Sequence, residues 1–307
     1  MKILRSPDEF RRTGAAVFGA VGVFDGVHLG HQQILRGAIE ESRRSNGQTL
    51  VVTFDRHPNA VVASDKVPPF IYPLHKRLEV VRELGPDMLW LIPFDEAFSR
   101  KTGASFAEQL ASDFAPLESL WIGADFRFGH KRRGDVALLR DTGARFRFNV
   151  HATPAVLADG HPISSTRIRE VIMRGDLDAA AKMLGRPYTL AGKVVEGDRL
   201  GRTLGFPTAN MDVKGLAIPP TGVYAALAQS GGKTHQAVLN IGFRPTVCGA
   251  SKELRCEAHM LDFSGDLYGH EVELSFIAKL REEKLFASTD ALRQQIAADI
   301  AAAQLLF

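Results

Sequence analysis

The periodicity of the chain changes once, near residues 185–188, and that change limits what the chain can fold into. Upstream, continuous apolar runs alternate with stripes at helical spacing. Residues 16–24, 49–54, 88–92, 119–123 and 145–151 read as strands. Between them, Ile34, Leu35, Ala38 and Ile39 mark a helix stopped by Gly47, and 74–84 is helical up to Gly85-Pro86. Ser105-x-x-Glu108 reads as a capping box for a helix ending at Phe114. Two more helices are expected at 163–175 and 177–184. Uninterrupted apolar runs suit strands buried on both faces, and strands alternating with helices need crossovers, so a mostly parallel sheet follows. Downstream of Arg186-Pro187-Tyr188 the segments are short, bounded by turns and rich in β-formers. Residues 222–228 and 235–241 flank Ser230-Gly231-Gly232-Lys233, and 256–263 and 271–281 flank Ser264-Gly265-Asp266. Both pairs read as antiparallel hairpins. Ser288 caps a last helix carrying Leu292, Ile296 and Ile300. The expectation is an α/β domain over 1–185 and a small barrel or sandwich with a C-terminal helix over 186–307.

Charge and cysteine content bound the partners. A formal charge of +3 is too small to argue for nucleic acid. The N-terminus turns acidic at Asp8-Glu9 before any apolar stretch, and the run 15–24 is too short to span a bilayer. Cys248 and Cys256 make neither a disulfide framework nor a tetrahedral metal set. These features predict a soluble, reduced, cytoplasmic protein with no membrane or nucleic-acid partner; a monomer or weak homo-oligomer is expected.

Each half carries its own candidate phosphate site. In the first, Gly22-Val23-Phe24-Asp25-Gly26-Val27-His28-Leu29-Gly30-His31 runs from a buried strand into a helix start. Free backbone N–H groups there attract anions, and Gly26 and Gly30 let a phosphate approach the main chain. His28 and His31 can donate hydrogen bonds as charge builds during displacement at phosphorus. A bare His-x-x-His also fits one buried and one solvated histidine, or part of a metal site. Ser164-Ser165-Thr166-Arg167 offers hydroxyls, N–H groups and a guanidinium at a second helix start, suited to a polyphosphate or to simple capping. Phe54 to His57 and Asp125 to Phe128 lie at strand ends, where a parallel sheet binds ligands. Phe126 and Phe128 are of a kind to flank a flat ring that Asp125 hydrogen-bonds, with Arg127 and Lys131 to Arg133 on phosphates. Composition alone favours a solvated basic loop beside two core phenylalanines.

In the second half, Gly197, Gly201, Arg202 and Gly205 form a flexible loop able to wrap phosphates before Pro207. Thr208 and Asn210 are hard oxygen donors on one side of an extended segment, suited to Mg²⁺ held partly by substrate phosphates. Glu257 can take the proton of an attacking hydroxyl. Turn capping for Thr208 and Asn210, and an exposed strand face for Glu257, remain open on these residues alone.

The motifs resemble the bacterial bifunctional riboflavin kinase/FMN adenylyltransferase family, also called FAD synthetase. The likeness is collinear over nearly the whole chain. It is carried by Phe24-Asp25-Gly26-x-His28-x-Gly30-His31, Asp125-Phe126-Arg127-Phe128-Gly129, Ser164-Ser165-Thr166-Arg167-Ile168-Arg169, Gly205-Phe206-Pro207-Thr208-Ala209-Asn210, Gly222-Val223-Tyr224, Asn240-Ile241-Gly242-x-Arg244-Pro245-Thr246 and Asp266-Leu267-Tyr268-Gly269. The resemblance implies a Rossmann-like nucleotidyltransferase domain followed by a six-stranded antiparallel barrel. It implies ATP-dependent conversion of riboflavin to FMN in the barrel and of FMN to FAD in the first domain, both with Mg²⁺. On this likeness Thr208 and Asn210 are the kinase metal pair and Glu257 its base. His28, His31, Asp125 and the 164–167 turn serve the adenylyltransferase, with Gly22, Phe24, Asp25 and Gly30 on ATP. Phe54, His57, Phe126, Arg127 and Phe128 face the flavin. Val23 stands where many members have Asn, and Arg56 where many have Pro. Residues 247–254 are atypical in composition.

Overall fold

The computed structural model describes residues 1–10, 14–197, 201, 204–245 and 252–307. The chain separates into two compact units. The first comprises Met1–Phe70, Leu74–Ile168 and Met183–Gly185, and the second Ile71–Pro73, Arg169–Lys182 and Arg186–Phe307. Two segments upstream of residue 186 thus belong to the second unit. Arg202, Thr246 and Cys248 lie outside the described residues, as does most of 247–254.

The first unit is built on a parallel sheet. Its strands are β1 (Lys2–Leu4), β2 (Val17–Val21), β3 (Gln48–Phe54), β4 (Met88–Ile92), β5 (Leu117–Gly123) and β6 (Asn149–Thr153), in spatial order β1-β4-β3-β2-β5-β6. Its helices are α1 (Leu29–Arg44), α2 (Asn59–Val62), α3 (Leu74–Glu83), α4 (Glu96–Ser99), α5 (Gly103–Asp113) and α6 (Val136–Phe146); α7 (Ser165–Arg174) and α8 (Leu177–Leu184) fall mostly in the second unit. Apolar runs become strands buried on both faces. Leu50, Val52, Phe54, Trp90 and Ile92 face one core, shared with Phe106 and Leu110 of α5. Val51, Leu89 and Leu91 face another, shared with Ile34 and Leu35 of α1 and Val80 and Val81 of α3. After β2 the chain builds outward through β3 and β4, then returns to place β5 on the other side of β2. This reversal opens a crevice at the carboxyl ends of β2 and β5, where open α/β sheets bind ligands.

Several local expectations need correction. β2 ends at Val21, and Phe24 already adopts φ +50° in a turn. The cap of α5 is Thr102, whose hydroxyl accepts the Ser105 N–H at 3.1 Å, so Ser105 lies inside the helix. Residues 145–151 are not one strand. Arg145 and Phe146 close α6, Arg147 turns the chain at φ +65°, and β6 starts at Asn149.

The second unit is a closed antiparallel barrel. Its strands are β9 (Thr189–Val195), β10 (Ala209–Asp212), β11 (Gly222–Ser230), β12 (Lys233–Pro245), β13 (Lys252–Met260) and β14 (Glu271–Arg281); the short pair β7 (Leu157–Ala158) and β8 (His161–Pro162) belongs to the first unit. The barrel order is β10-β13-β12-β11-β14-β9. β11 and β12 form the expected hairpin, with Ser230 opposite Lys233. β13 and β14 do not pair with each other: β13 lies between β10 and β12, and β14 between β11 and β9. Closure requires this, because β14 must reach across to join β9 to the hairpin. Alternate residues such as Leu239, Ile241, Cys256 and Ala258 fill the interior. The terminal helix α9 (Thr289–Gln304) is capped by Ser288, which accepts the Ala291 N–H at 3.2 Å. Arg281 forks onto Asp299 at 2.7–3.1 Å and fixes α9 against the barrel wall.

Candidate active sites

In the first unit, the turn after β2 places both histidines near the carboxyl end of that strand. His28 caps α1, and its Nδ1 accepts the His31 N–H at 3.3 Å. A neutral His28 ring therefore carries its proton on Nε2. The two rings stack, with centroids 3.6 Å apart. Burial holds the His31 pKa well below the usual histidine range, and neighbouring His28 and Arg77 push it the same way. His31 is thus neutral near pH 7, although one edge keeps some exposure. Its Nδ1 is shut from solvent and has no hydrogen-bond partner.

The turn is built from unusual backbone. Phe24, Gly26 and Val27 all have positive φ, and Val27 is β-branched, for which that conformation is a genuine outlier. Gly22 donates its N–H to Val52 O, its Cα lying against the Phe24 ring. Phe24 and Asp25 are fully buried, so they shape the turn from within. Gly30 is half-buried beside the His28 ring. Ser164 caps α7 by accepting the Arg167 N–H at 3.2 Å, and Ser165 Oγ donates to Asp25 O at 3.0 Å. The second helix start is therefore tied to the first turn. Thr166 is exposed there. Arg167 Nη1 donates to Ala158 O and His161 O, which commits part of its guanidinium to the β7–β8 hairpin.

The segment after β5 modifies one expectation. Phe126 and Phe128 stack directly on each other, with centroids 5.4 Å apart and planes within 12°. No third ring fits between them. Phe128 is a core residue, while Phe126 is half-buried. Asp125 is exposed, and Arg127 pairs with Asp135 at 2.9 Å. The Phe54 ring packs among Phe94 and Phe98, so it faces the core. His57 packs edge-on against Phe70, and its Nδ1 accepts the Asn59 N–H at 3.1 Å. Arg56 pairs with Asp55. Burial opposes the ionised Asp55, but the Arg56 hydrogen bond and the Phe94 N–H outweigh it and lower its pKa.

Arg77 was not among the residues singled out in the sequence. It lies on α3, is 1% exposed, and donates to Val23 O at 3.2 Å and Phe54 O at 2.5 Å. A signal was present: Leu74, Arg77 and Val81 are three and four apart, which places the arginine on the apolar stripe of its helix.

In the barrel unit, Asn210 of β10 lies directly opposite Glu257 of β13, which lies opposite Asn240 of β12. Antiparallel partners share a face, so these three side chains form one row across the wall. Arg255 Nη1 sits 3.9 Å from Glu257. Gly197 and Gly201 close over the Thr-x-Asn segment. A Cβ at Gly197 would collide with the Asn210 amide, and one at Gly201 with Phe206 O and Thr208 Oγ1. Gly205 turns at φ +90° and is exposed, as is Pro207. A groove of about 620 Å³ opens beside Thr208, lined by Ala258, Met260 and the 263–268 loop. His259, also missed from sequence, holds the segment in place: its Nδ1 lies 2.7 Å from Pro207 O.

Comparison with known proteins agrees with both halves. The family model for FAD synthetase matches residues 11–167, and that for riboflavin kinase matches residues 184–307. The bifunctional riboflavin kinase/FMN adenylyltransferase of Escherichia coli (strain K12) is 39% identical over 280 residues, 91% of this chain and 89% of that protein. The protein of the same name from Pseudomonas fluorescens is 36% identical over 312 residues, 100% of this chain and 98% of that protein. A crystal structure of a Macrolide-efflux Protein from Streptococcus pneumoniae superposes with a TM-score of 0.80 at 28% identity, covering 98% of each chain. Among the described residues, no helix is long and apolar enough to cross a membrane. Fold and matches together define a two-module transferase, a nucleotidyltransferase-like α/β unit joined to a riboflavin kinase barrel. The chain belongs to the bifunctional riboflavin kinase/FMN adenylyltransferase family, and its function is flavin cofactor synthesis by two activities.

Proposed function

We propose that the barrel phosphorylates riboflavin at the row formed by Asn210 and Glu257, and that the α/β unit transfers AMP to FMN at the turn carrying His28 and His31. The observation that carries the kinase assignment is the cross-strand pairing of Asn210 with Glu257 beside Thr208. In the kinase step, Glu257 accepts the proton of the riboflavin hydroxyl while its oxygen attacks the γ-phosphorus of ATP and ADP departs. Gly197, Gly201, Gly205 and Pro207 serve the phosphate side. Thr208 and Asn210 supply hard oxygen donors under a cradle that a Cβ at either Gly197 or Gly201 would fill, which suits Mg²⁺. When bound, Mg²⁺ would neutralise phosphate charge.

In the adenylyl step, an FMN phosphate oxygen attacks the α-phosphorus of ATP and pyrophosphate leaves. His28 donates from Nε2, the N–H groups at the start of α1 face the phosphates, and His31 stands behind His28. Ser164, Ser165, Thr166 and Arg167, whose Nη2 also pairs with Asp159 at 3.6 Å, serve the pyrophosphate end. Asp125, Arg127, His57 and the outer face of Phe126 meet the flavin. The protein works on small molecules in the cytoplasm, without nucleic acid, as a monomer or weak homo-oligomer. Chromatography of products formed from riboflavin and ATP tests the assignment. FAD is the expected product. FMN alone would leave one working site, and unchanged riboflavin would mean a non-catalytic flavin-binding regulator.

A further inference from the structure

We propose that Arg77 is a positioning residue that ties the nucleotide half of the adenylyl-transfer site to its flavin half, an inference that rests on assigning AMP transfer to the turn after β2. The turn at 23–27 holds Phe24, Gly26 and Val27 at positive φ and cannot keep that shape alone. Four side chains grip its carbonyls. Arg77 Nη1 and Thr53 Oγ1 both donate to Val23 O, at 3.2 and 3.1 Å. Ser165 Oγ donates to Asp25 O and Gln32 Nε2 to Val27 O, at 3.0 and 2.9 Å.

Of these four, Arg77 also reaches into the other half. Its Nη2 donates to Phe54 O at the end of β3, where the chain leads to His57. Its guanidinium lies 5.2 Å from the Phe70 ring centre, and that ring packs against His57. One planar fork therefore spans the carboxyl ends of two adjacent strands, one leading to the histidines and the other toward the flavin side.

Stability alone does not account for an arginine at this place. Its neighbours on the buried stripe of α3, Val80 and Val81, are aliphatic. A fully buried guanidinium is costly, and its Nε–H has no hydrogen-bond partner, so the cost is not fully offset locally. Burial pulls its pKa down, while the carboxylates of Asp25 and Asp55, one from each strand end, pull it back up. The charge thus sits between the two loops that must hold ATP and FMN in line. Because reacting groups displaced by about 1 Å lose on the order of a hundredfold in rate, this tie should act on kcat.

Arg77→Met and Arg77→Lys test this, each assayed with FMN plus ATP and separately with riboflavin plus ATP. In the FMN assay, Arg77→Met should lower kcat by about 30-fold or more, with KM for both substrates within about threefold of wild type. Arg77→Lys should not restore the rate, because one ammonium cannot span both carbonyls. FMN formation from riboflavin should remain near wild type in both variants. His31→Ala, run in parallel, separates the two levels of inference. If it retains FAD synthesis, the AMP-transfer assignment fails and the proposal with it. If it abolishes FAD synthesis while Arg77→Met keeps its kcat and only melts earlier, Arg77 is a fold staple and the proposal alone is overturned. Should Arg77→Met not fold, a folded Arg77→Lys with wild-type kcat gives the same refutation.

Discussion

Replacing Gly197 by Ala adds one methyl group at a place where the backbone accepts it, since Gly197 lies outside the left-handed region. The difficulty is space. The new Cβ would stand 2.8 Å from Asn210 Oδ1 and closer still to Nδ2. Ordinary contact between such atoms is about 3.5 Å, so the Asn210 amide must retreat by ~1 Å or the loop must lift by as much. A displacement of ~1 Å at a phosphate-positioning group costs about a hundredfold in rate, or ~2.7 kcal/mol of barrier. Gly197→Ala should therefore lower riboflavin phosphorylation by about two orders of magnitude, while FMN-to-FAD conversion stays within about twofold. Paired steady-state assays started from riboflavin and from FMN read both numbers. A kinase rate within about threefold of wild type would refute the reasoning, because Asn210 would then not place the phosphates.

Other outcomes follow from the same structure. Asp299→Ala leaves the half-buried Arg281 fork without its carboxylate and should destabilise the barrel unit by about 3 kcal/mol in denaturant titration; a loss under ~1 kcal/mol would mean that α9 is held otherwise. His31 resists protonation in the folded state, whereas the unfolded chain takes up that proton near pH 6.5. Stability should therefore fall as pH drops below about 6.5, and His31→Gln should flatten that part of the curve; an unchanged slope would contradict the buried neutral ring. A fragment beginning at Arg169 carries a segment of the second unit that one beginning at Arg186 lacks, so it should melt at the higher temperature; equal melting would assign that segment no part in the barrel.

What the sequence revealed tracks how local each cause is. β3 and β4 were legible because each is a short apolar run buried on both faces. The β11–β12 hairpin was legible because Gly231 and Gly232 mark its turn. Helix α6 was missed: Gly143 and several charges interrupt its apolar stripe, and a left-handed Arg147 rather than a glycine ends it. The partners of β13 and β14 depend on how six strands close, which no short segment encodes. At the sites, the residue types stood out, but their packing did not. Phe126 and Phe128 looked like a clamp and instead stack on each other. Arg77 and His259 were not singled out, because their carbonyl partners come from elements distant in sequence.

On the proposed assignment the two chemistries use different residues in different units. Glu257→Gln and His31→Ala, each assayed from riboflavin and from FMN, test it most directly. Glu257→Gln should lose FMN formation, because an amide cannot accept the hydroxyl proton, yet still convert supplied FMN to FAD. His31→Ala should form FMN from riboflavin at the normal rate and accumulate it without FAD. If either variant stayed folded and lost both activities, a single shared site would have to replace the two described here.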